Sequence, residues 1–353
     1  MGDAVYESDL SITKEGLDAG SKLAAKGSLL LLTRGSGLFK RIPLAIAGKD
    51  VAYNQDIKCI RATAKGISNR YLFYVLRTLE PAISAMLETT GIGAGKLATD
   101  RLRALPVPVL DEADRAKVTT FADCIYKKIS LNTKLNGYLL EYMESQYHHL
   151  FSSDEQAHGS IYDIANVVYG AAFKSDFFNE KEVGYPLIRI RDLTTFTPQF
   201  WTDEIHPKRA FVHPGDVLAG MDAEFVPCFW QGDTAVLNQR VCLFEPANNS
   251  AISRSYLFVA LKPLLAYIQK YASGTTVAHM GKSDLEALDV PIPSYEKLRK
   301  FNAIAEPMRE RLVQNSLENR KLATLRDVLL PKLMSGEIDV SEVDLTQLNS
   351  HLA

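Results

Sequence analysis

Two stretches of this 353-residue chain, residues 111–151 and 294–334, are copies of one another and constrain everything around them. In the first, Phe121, Ile125, Ile129, Asn132, Asn136, Leu139, Tyr142 and Gln146 follow one another at steps of 4, 4, 3, 4, 3, 3 and 4. In the second, Ile304, Met308, Leu312, Asn315, Asn319, Leu322, Leu325 and Leu329 repeat those steps at a constant offset of 183. Mixed steps of three and four place side chains on one stripe of a helix. A stripe about ten turns long needs an equally long partner, and the other copy is the simplest one. The expected interface joins Phe121, Ile125, Ile129, Asn132, Asn136 and Leu139 to Ile304, Met308, Leu312, Asn315, Asn319 and Leu322. The two Asn pairs fall at the same place in both stripes, where a coiled-coil seam uses buried amides to fix its register.

The repeat continues upstream. Residues 104–109 match 287–292 at an offset of 183, Asn54-Gln55 matches Asn238-Gln239 at 184, and Tyr71-Leu72-Phe73 matches Tyr256-Leu257-Phe258 at 185. Residues 27–30 pair with 215–218, and Asp9-Leu10 pairs with Asp192-Leu193. Small loop insertions in a duplicated unit explain the drift. Within the second copy, residues 187–190, 217–218, 235–244 and 290–292 read as strands bounded by Gly, Pro and Asn. Residues 256–271 read as a helix, with a counterpart at 71–87. A Pro-bounded strand precedes each long helix and stops it from extending backwards.

The expected fold class is α/β (α+β): two tandem globular domains separated by two long antiparallel, coiled-coil-like helices, with an internal repeat whose offset is 183. The boundaries are 1–110 for the first domain, 111–156 for the central helix, 157–293 for the second domain, 294–336 for the distal helix and 337–353 for a polar tail. Met1 aligns with Gly184, so residues 161–183 have no counterpart. The first domain is therefore expected to lack its leading segment, and the tail does not resemble the missing piece.

Composition excludes several function classes. With 46% hydrophobic and 23% charged residues the chain reads as a soluble globular protein. Its formal net charge of −2 gives no global basic field, so a nucleic-acid role needs local basic faces or a basic partner. Cys59, Cys124, Cys228 and Cys242 form no C-x-x-C and suit reduced thiols. With no signal sequence and no apolar run long enough to span a bilayer, a cytoplasmic location away from any membrane is expected. Gly91-Ile-Gly-Ala-Gly-Lys96 departs from a phosphate loop at Thr90 and Leu97, which leaves a flexible turn or a backbone–phosphate contact. His148-His149 point about 100° apart on a helix and suit a solvated end. His158, His206, His213 and His279 lack the spacing of a metal site. No E-x-K, no Pro-Pro and no G-x-S-x-G occurs, so the chain offers no catalytic constellation and reads as a recognition or scaffold protein.

Several strings carry a family resemblance. Residues 186–193 (PLIRIRDL), 214–225 (PGDVLAGMDAEF), 237–240 (LNQR), 274–282 (GTTVAHMGK) and 329–339 (LLPKLMSGEID) resemble the specificity subunit of type I restriction–modification enzymes. Residues 13–17, 27–34 and 54–55 fit the same pattern more loosely, and residues 91–95 depart from the family's usual Gly-Ser/Thr turn. The resemblance implies that each domain reads half of a bipartite site in double-stranded DNA, and that the paired helices fix the spacer. It also implies methyltransferase (M) subunits docked on the helices to flip the adenine, and restriction/translocase (R) subunits for cleavage. S-adenosylmethionine, ATP and Mg then belong to those partners; this chain is expected to hold no cofactor or metal and to catalyse nothing.

Base edges are read by Arg on guanine, Asn or Gln on adenine and acids on cytosine, while Lys and backbone amides hold phosphates. In the second domain these residue types point to Arg189, Arg191, Asp222, Glu224, Asn238, Gln239 and Arg240, with Thr275, Thr276, His279 and Lys282 as a second cluster. In the first, the candidates are Thr33, Arg34, Lys40, Arg41, Asn54, Gln55 and Lys96. Two readings stand for the Asn-Gln pairs, base contact or a bond to strand-end backbone. They also stand for Asp222 and Glu224, cytosine contact or a structural role. Trp201 and Trp230 are expected in the core. The rival functions are a helical adaptor that binds no nucleic acid, and a standalone enzyme with an unrecognised site.

Overall fold

The computed structural model describes residues 4–8, 10–91, 93–151, 157–247, 251–271 and 278–340. The chain divides into two compact units: Met1–Leu131 with Asn319–Ala353, and Asn132–Glu318. Both divisions fall inside the long helices, which run Glu112–Phe151 and Tyr295–Ser335. Each helix starts where the repeat predicts. Asp111 accepts the Asp114 amide at 2.9 Å, and Ser294, its equivalent, accepts the Lys297 amide at 3.4 Å. Both bonds satisfy an orphan first-turn donor.

Seam residues pack within each unit. In unit 1, Phe121 and Ile125 are buried in one cluster with Leu322, Leu330 and Leu333. In unit 2, the Asn132 amide donates to Glu318 at 2.7 Å, and Asn315 donates to the Asn136 carbonyl at 2.8 Å. Asn136 in turn donates to Ser316 Oγ at 2.9 Å and to the Leu312 carbonyl at 3.1 Å. Partner numbers fall on one helix as they rise on the other, so these segments run in opposite directions. Leu139 and Met308 pack partly buried beside Leu312. Tyr142 and Leu325 depart from the expected stripe, being 49% and 37% exposed. The two successive steps of three before each carry it about 60° behind the seam at about 100° per residue.

Unit 2 holds a sheet ordered Ala165–Tyr169, Val241–Pro246, Val217–Gly220, Cys228–Phe229, with every neighbour antiparallel. Unit 1 holds a sheet ordered Ile57–Ile60, Leu29–Leu32, Leu44–Ala47, Ala4–Val5. The repeat reaches the pairing register. Leu29 lies opposite Ile60, as Val217 lies opposite Phe244. A second sheet of unit 2 is built from Phe178–Asn179, Phe200–Thr202, Tyr185–Ile188, Ala235–Leu237 and Phe211–Val212. Its unit 1 counterpart is the pair Lys22–Ala24 and Val51–Tyr53.

Two expected elements divide. The run 235–244 is two strands, because Arg240 takes a left-handed φ of 78° and turns the chain between them. Residues 71–87 become the helices Asn69–Thr78 and Glu80–Ser84, with Pro81 opening the second, and Leu87 begins a strand. Trp230 is fully buried, and its indole N–H donates to the Asp233 carbonyl at 2.8 Å. Trp201 is only half-buried, on the strand Phe200–Thr202, and is not a core residue.

Candidate nucleic-acid interface

The turn that parts Ala235–Leu237 from Val241–Pro246 brings three expected residues together. Asp222 and His279 are bridged residues of neighbouring chain segments. Asp222 Oδ1 lies 2.7 Å from His279 Nδ1 and 3.6 Å from Arg240 Nη1, and Arg240 Nη1 lies 3.1 Å from the same imidazole nitrogen. A carboxylate only accepts, so the Nδ1 proton is assigned to the bond with Asp222. Arg240 is then held by charge attraction to the carboxylate. All three side chains stay accessible, at 30%, 54% and 46% for Asp222, Arg240 and His279. The cluster presents a half-anchored guanidinium fork and a free imidazole edge to the outside.

Backbone bonds fix this arrangement. The Met221 amide donates to the Arg240 carbonyl, and the Met280 amide to the Met221 carbonyl, both at 2.8 Å. Unit 1 repeats them. The Thr33 amide donates to the Asp56 carbonyl at 2.7 Å, and the Leu97 amide to the Thr33 carbonyl at 2.9 Å. Met221 corresponds to Thr33 at an offset of 188, Arg240 to Asp56 at 184, and Met280 to Leu97 at 183. The adjoining positions match too: Arg34 faces Lys96 across a strand pair, as Asp222 faces His279. One scaffold therefore carries Asp222, Arg240 and His279 in unit 2, and Arg34, Asp56 and Lys96 in unit 1. Acid and base have changed places. Asp56 is not among the candidates that residue type selects, although the offset that pairs Asn54-Gln55 with Asn238-Gln239 reaches it one position later.

The Asn-Gln pairs separate into two roles. Asn238 is 8% exposed and its Oδ1 accepts the Gln239 amide at 2.9 Å. Asn54 Oδ1 accepts the Asp56 amide at 3.1 Å. Both asparagines serve their turns, whereas Gln55 and Gln239 are exposed. Thr33 is not a surface residue: it is 5% exposed, and its hydroxyl donates to the Asp56 carbonyl at 2.9 Å. Thr33→Val is expected to lower stability by about 1 kcal/mol, the net worth of one hydrogen bond, and to leave nucleic-acid recognition unchanged. Denaturant midpoints beside a binding assay check both halves of that statement.

The remaining candidates are spread around these clusters. Arg189 is half-buried with its guanidinium 5.3 Å from the Phe200 ring centroid, while Arg191 is exposed. Arg189 caps the short turn Ile190–Leu193 and Arg191 lies within it, and that turn packs beside Gly220, where an added methyl would lie 3.3 Å from Ile190. Asp192 within the turn is buried and accepts the Arg189 amide at 2.9 Å; burial raises its carboxyl above the ordinary range. Glu224, Lys40 and Arg41 are exposed, and Lys282 pairs with Glu286 at 3.3 Å on the surface. Thr275 and Thr276 lie outside the described residues. The glycine stretch before Lys96 closes a hairpin between Leu87–Thr89 and Gly95–Leu97, with Thr90 bonded to Ala94 through backbone and hydroxyl. Among the described residues no group of His, Cys, Asp and Glu could hold a metal ion, and no helix is long and apolar enough to cross a membrane.

Comparison with known proteins returns one family. Residues 155–325 match the family model described as type I restriction modification DNA specificity domain. The chain is 33% identical over 171 residues to the Escherichia coli type I restriction enzyme EcoBI specificity subunit, a match covering 48% of this chain and 35% of that protein. It therefore spans about a third of that relative's length. It is 24% identical over 358 aligned positions to the Methanocaldococcus jannaschii type I restriction enzyme MjaIX specificity subunit, covering 91% of this chain and 80% of that one. Its fold is similar to the crystal structure of the type I restriction–modification system S subunit from M. genitalium, with a TM-score of 0.58 at 17% identity, covering 89% and 84% of the two chains. Residues 155–325 thus match a type I restriction modification DNA specificity domain, and a type I restriction enzyme specificity subunit aligns along most of the chain's length.

Proposed function

We propose that this chain is a non-catalytic DNA-reading subunit: each unit is a target-recognition domain for half of a bipartite duplex site. The coiled-coil-like long helices join the two domains. Methyltransferase subunits carrying S-adenosylmethionine, and restriction subunits using ATP and Mg, then assemble on it in the cytoplasm. The observation that carries this reading is the shared scaffold with exchanged side chains. A fold retained twice, with acid and base swapped at its accessible positions, suits two heads that read different bases, because each base pair offers its own pattern of donors and acceptors. The similarity to proteins named as specificity subunits supports it.

Co-expression of this chain with a methyltransferase subunit, followed by sequencing of methylated adenines, tests the proposal. A bipartite motif that appears only when this chain is present is the expected result; methylation independent of the chain would overturn it. With a net charge of −2, the isolated chain is also expected to bind its site weakly, with affinity falling steeply as salt rises, since phosphate contacts dominate affinity. Titration at several salt concentrations reads that slope, and tight salt-insensitive binding by the chain alone would contradict it.

A further inference from the structure

Hydrogen bonding separates the two copies of the shared scaffold. In unit 2 the acid and the base hold each other, with Asp222 Oδ1 shared by His279 and Arg240. In unit 1 the same positions carry Arg34, Asp56 and Lys96. Among the described residues, none of these three side chains takes part in an ion pair or a side-chain hydrogen bond. Glu88, the acid that faces Lys96 from the next strand, turns to Arg101 instead, at 3.6 Å. The backbone of Asp56 is nevertheless anchored. Its amide donates to Asn54 Oδ1 at 3.1 Å, and its carbonyl accepts from the Thr33 amide at 2.7 Å and the Thr33 hydroxyl at 2.9 Å. Arg34 follows Thr33 directly and is exposed; Asp56 is half-buried. Two opposite charges thus stand on adjoining, anchored positions without engaging each other. One is a carboxylate that only accepts, the other a guanidinium that only donates, and both remain for an outside partner.

The chemistry of the grooves says which base pair such a pair of side chains fits. In the major groove a G·C pair offers acceptors, N7 and O6, on its guanine side and a donor, N4–H, on its cytosine side. An A·T pair offers acceptor, donor and acceptor in turn, nearly the same from either side. One acid beside one base matches the first pattern. Exchanging them matters only there, because the exchange inverts which strand carries the guanine. We propose that unit 1 reads a G·C pair with Asp56 on cytosine N4 and Arg34 on guanine O6 and N7. At the equivalent position unit 2 reads a G·C pair of inverted orientation, with Arg240 on guanine and Asp222 on cytosine. Asp222 can accept from a base while it holds its neighbours, since both of those contacts use Oδ1 and leave Oδ2 open. The third position bears a donor in both units, Lys96 and His279, and takes no part in the exchange. Asp56 is then a specificity-determining residue of the first half-site. This inference deepens the DNA-reading proposal and rests on it.

Repeating the exchange by mutation tests it. The double variant Arg34→Asp with Asp56→Arg gives unit 1 the order of acid and base found in unit 2. Its binding, in the assembled complex, is measured on duplexes randomised at each position. The expected result is inversion of one G·C pair in the unit 1 half-site, with the other half-site read as in the parent. Asp56→Asn is the second variant; it is nearly isosteric and leaves the backbone bonds of Asp56 in place. It is expected to lower discrimination at the same base pair by about 5- to 150-fold, the range of one good base contact, and to favour adenine there, because an amide suits that base. It decides the matter alone if the double variant does not fold. An unchanged preference in Asp56→Asn would overturn the assignment. So would an affinity change equal for every sequence, which is the mark of a residue beside a phosphate. Failure of the underlying reading looks different: a parent complex that binds all duplexes alike overturns the DNA-reading proposal and this inference with it.

Discussion

Arg240→Ala is expected to relax discrimination at one base pair in one half-site and to leave the other half-site as it was. Its guanidinium is anchored from one side only, by Asp222 Oδ1 at 3.6 Å, and remains 54% accessible, so its fork stays available to a base edge. A bidentate Arg–guanine pair is worth about 1–3 kcal/mol of discrimination, roughly 5- to 150-fold. Binding to a library of duplexes randomised at each position, made with the assembled complex, reads this directly. Arg34→Ala is expected to act on the opposite half-site, because Arg34 occupies the Asp222 position of unit 1. The two effects should add, since each substitution lies in a different unit. If Arg240 holds only a phosphate, the loss will be uniform across all sequences and the salt dependence will fall by about one counterion. A weakening spread equally over both half-sites would sink the assignment of Arg240 as a base reader.

The repeat makes most of this arrangement legible in the sequence. Mixed steps of three and four locate both long helices to within one position, and matching at offsets of 183 to 188 identifies strands that share one pairing register. Periodicity is less informative where a turn interrupts an apolar run. Residues 235–244 are two apolar runs around Asn238-Gln239-Arg240 that read together as one strand, and the left-handed Arg240 divides them. Residue type alone does not separate Asn238 from Gln239, because both carry amides that suit adenine; burial separates them, sending the first into its own turn and the second to the surface. Thr33 misleads for a related reason, since a hydroxyl suits a phosphate as well as it suits the Asp56 carbonyl it bonds. Asp56 escapes notice because residue type alone does not single it out from the chain's other acids. It acquires meaning only through its equivalence to Arg240.

The seam between the long helices yields the second large effect. Asn136→Leu removes the acceptor of Asn315, whose side chain is buried in a residue only 1% exposed. It also removes the donor that reaches Ser316 and the Leu312 carbonyl. A buried amide left without its partner costs about 1–3 kcal/mol, so unit 2 is expected to lose that much stability in denaturant unfolding. Replacing Asn136 and Asn315 together is a different case, because no amide is then stranded and two leucines fill the space. The double variant is expected to be nearly as stable as the parent or more so, which gives a strongly favourable coupling in a double-mutant cycle. The cost of the double change falls instead on register: the Asn136–Asn315 bond forms in one alignment only, and without it the seam keeps only the flanking Asn132 and Asn319 amides to resist sliding by a heptad. Slower, single-phase hydrogen exchange in the parent and heterogeneous exchange along residues 132–146 in the double variant would show that difference. Equal losses from the single and double variants would mean that the amides contribute packing alone and do not set the alignment.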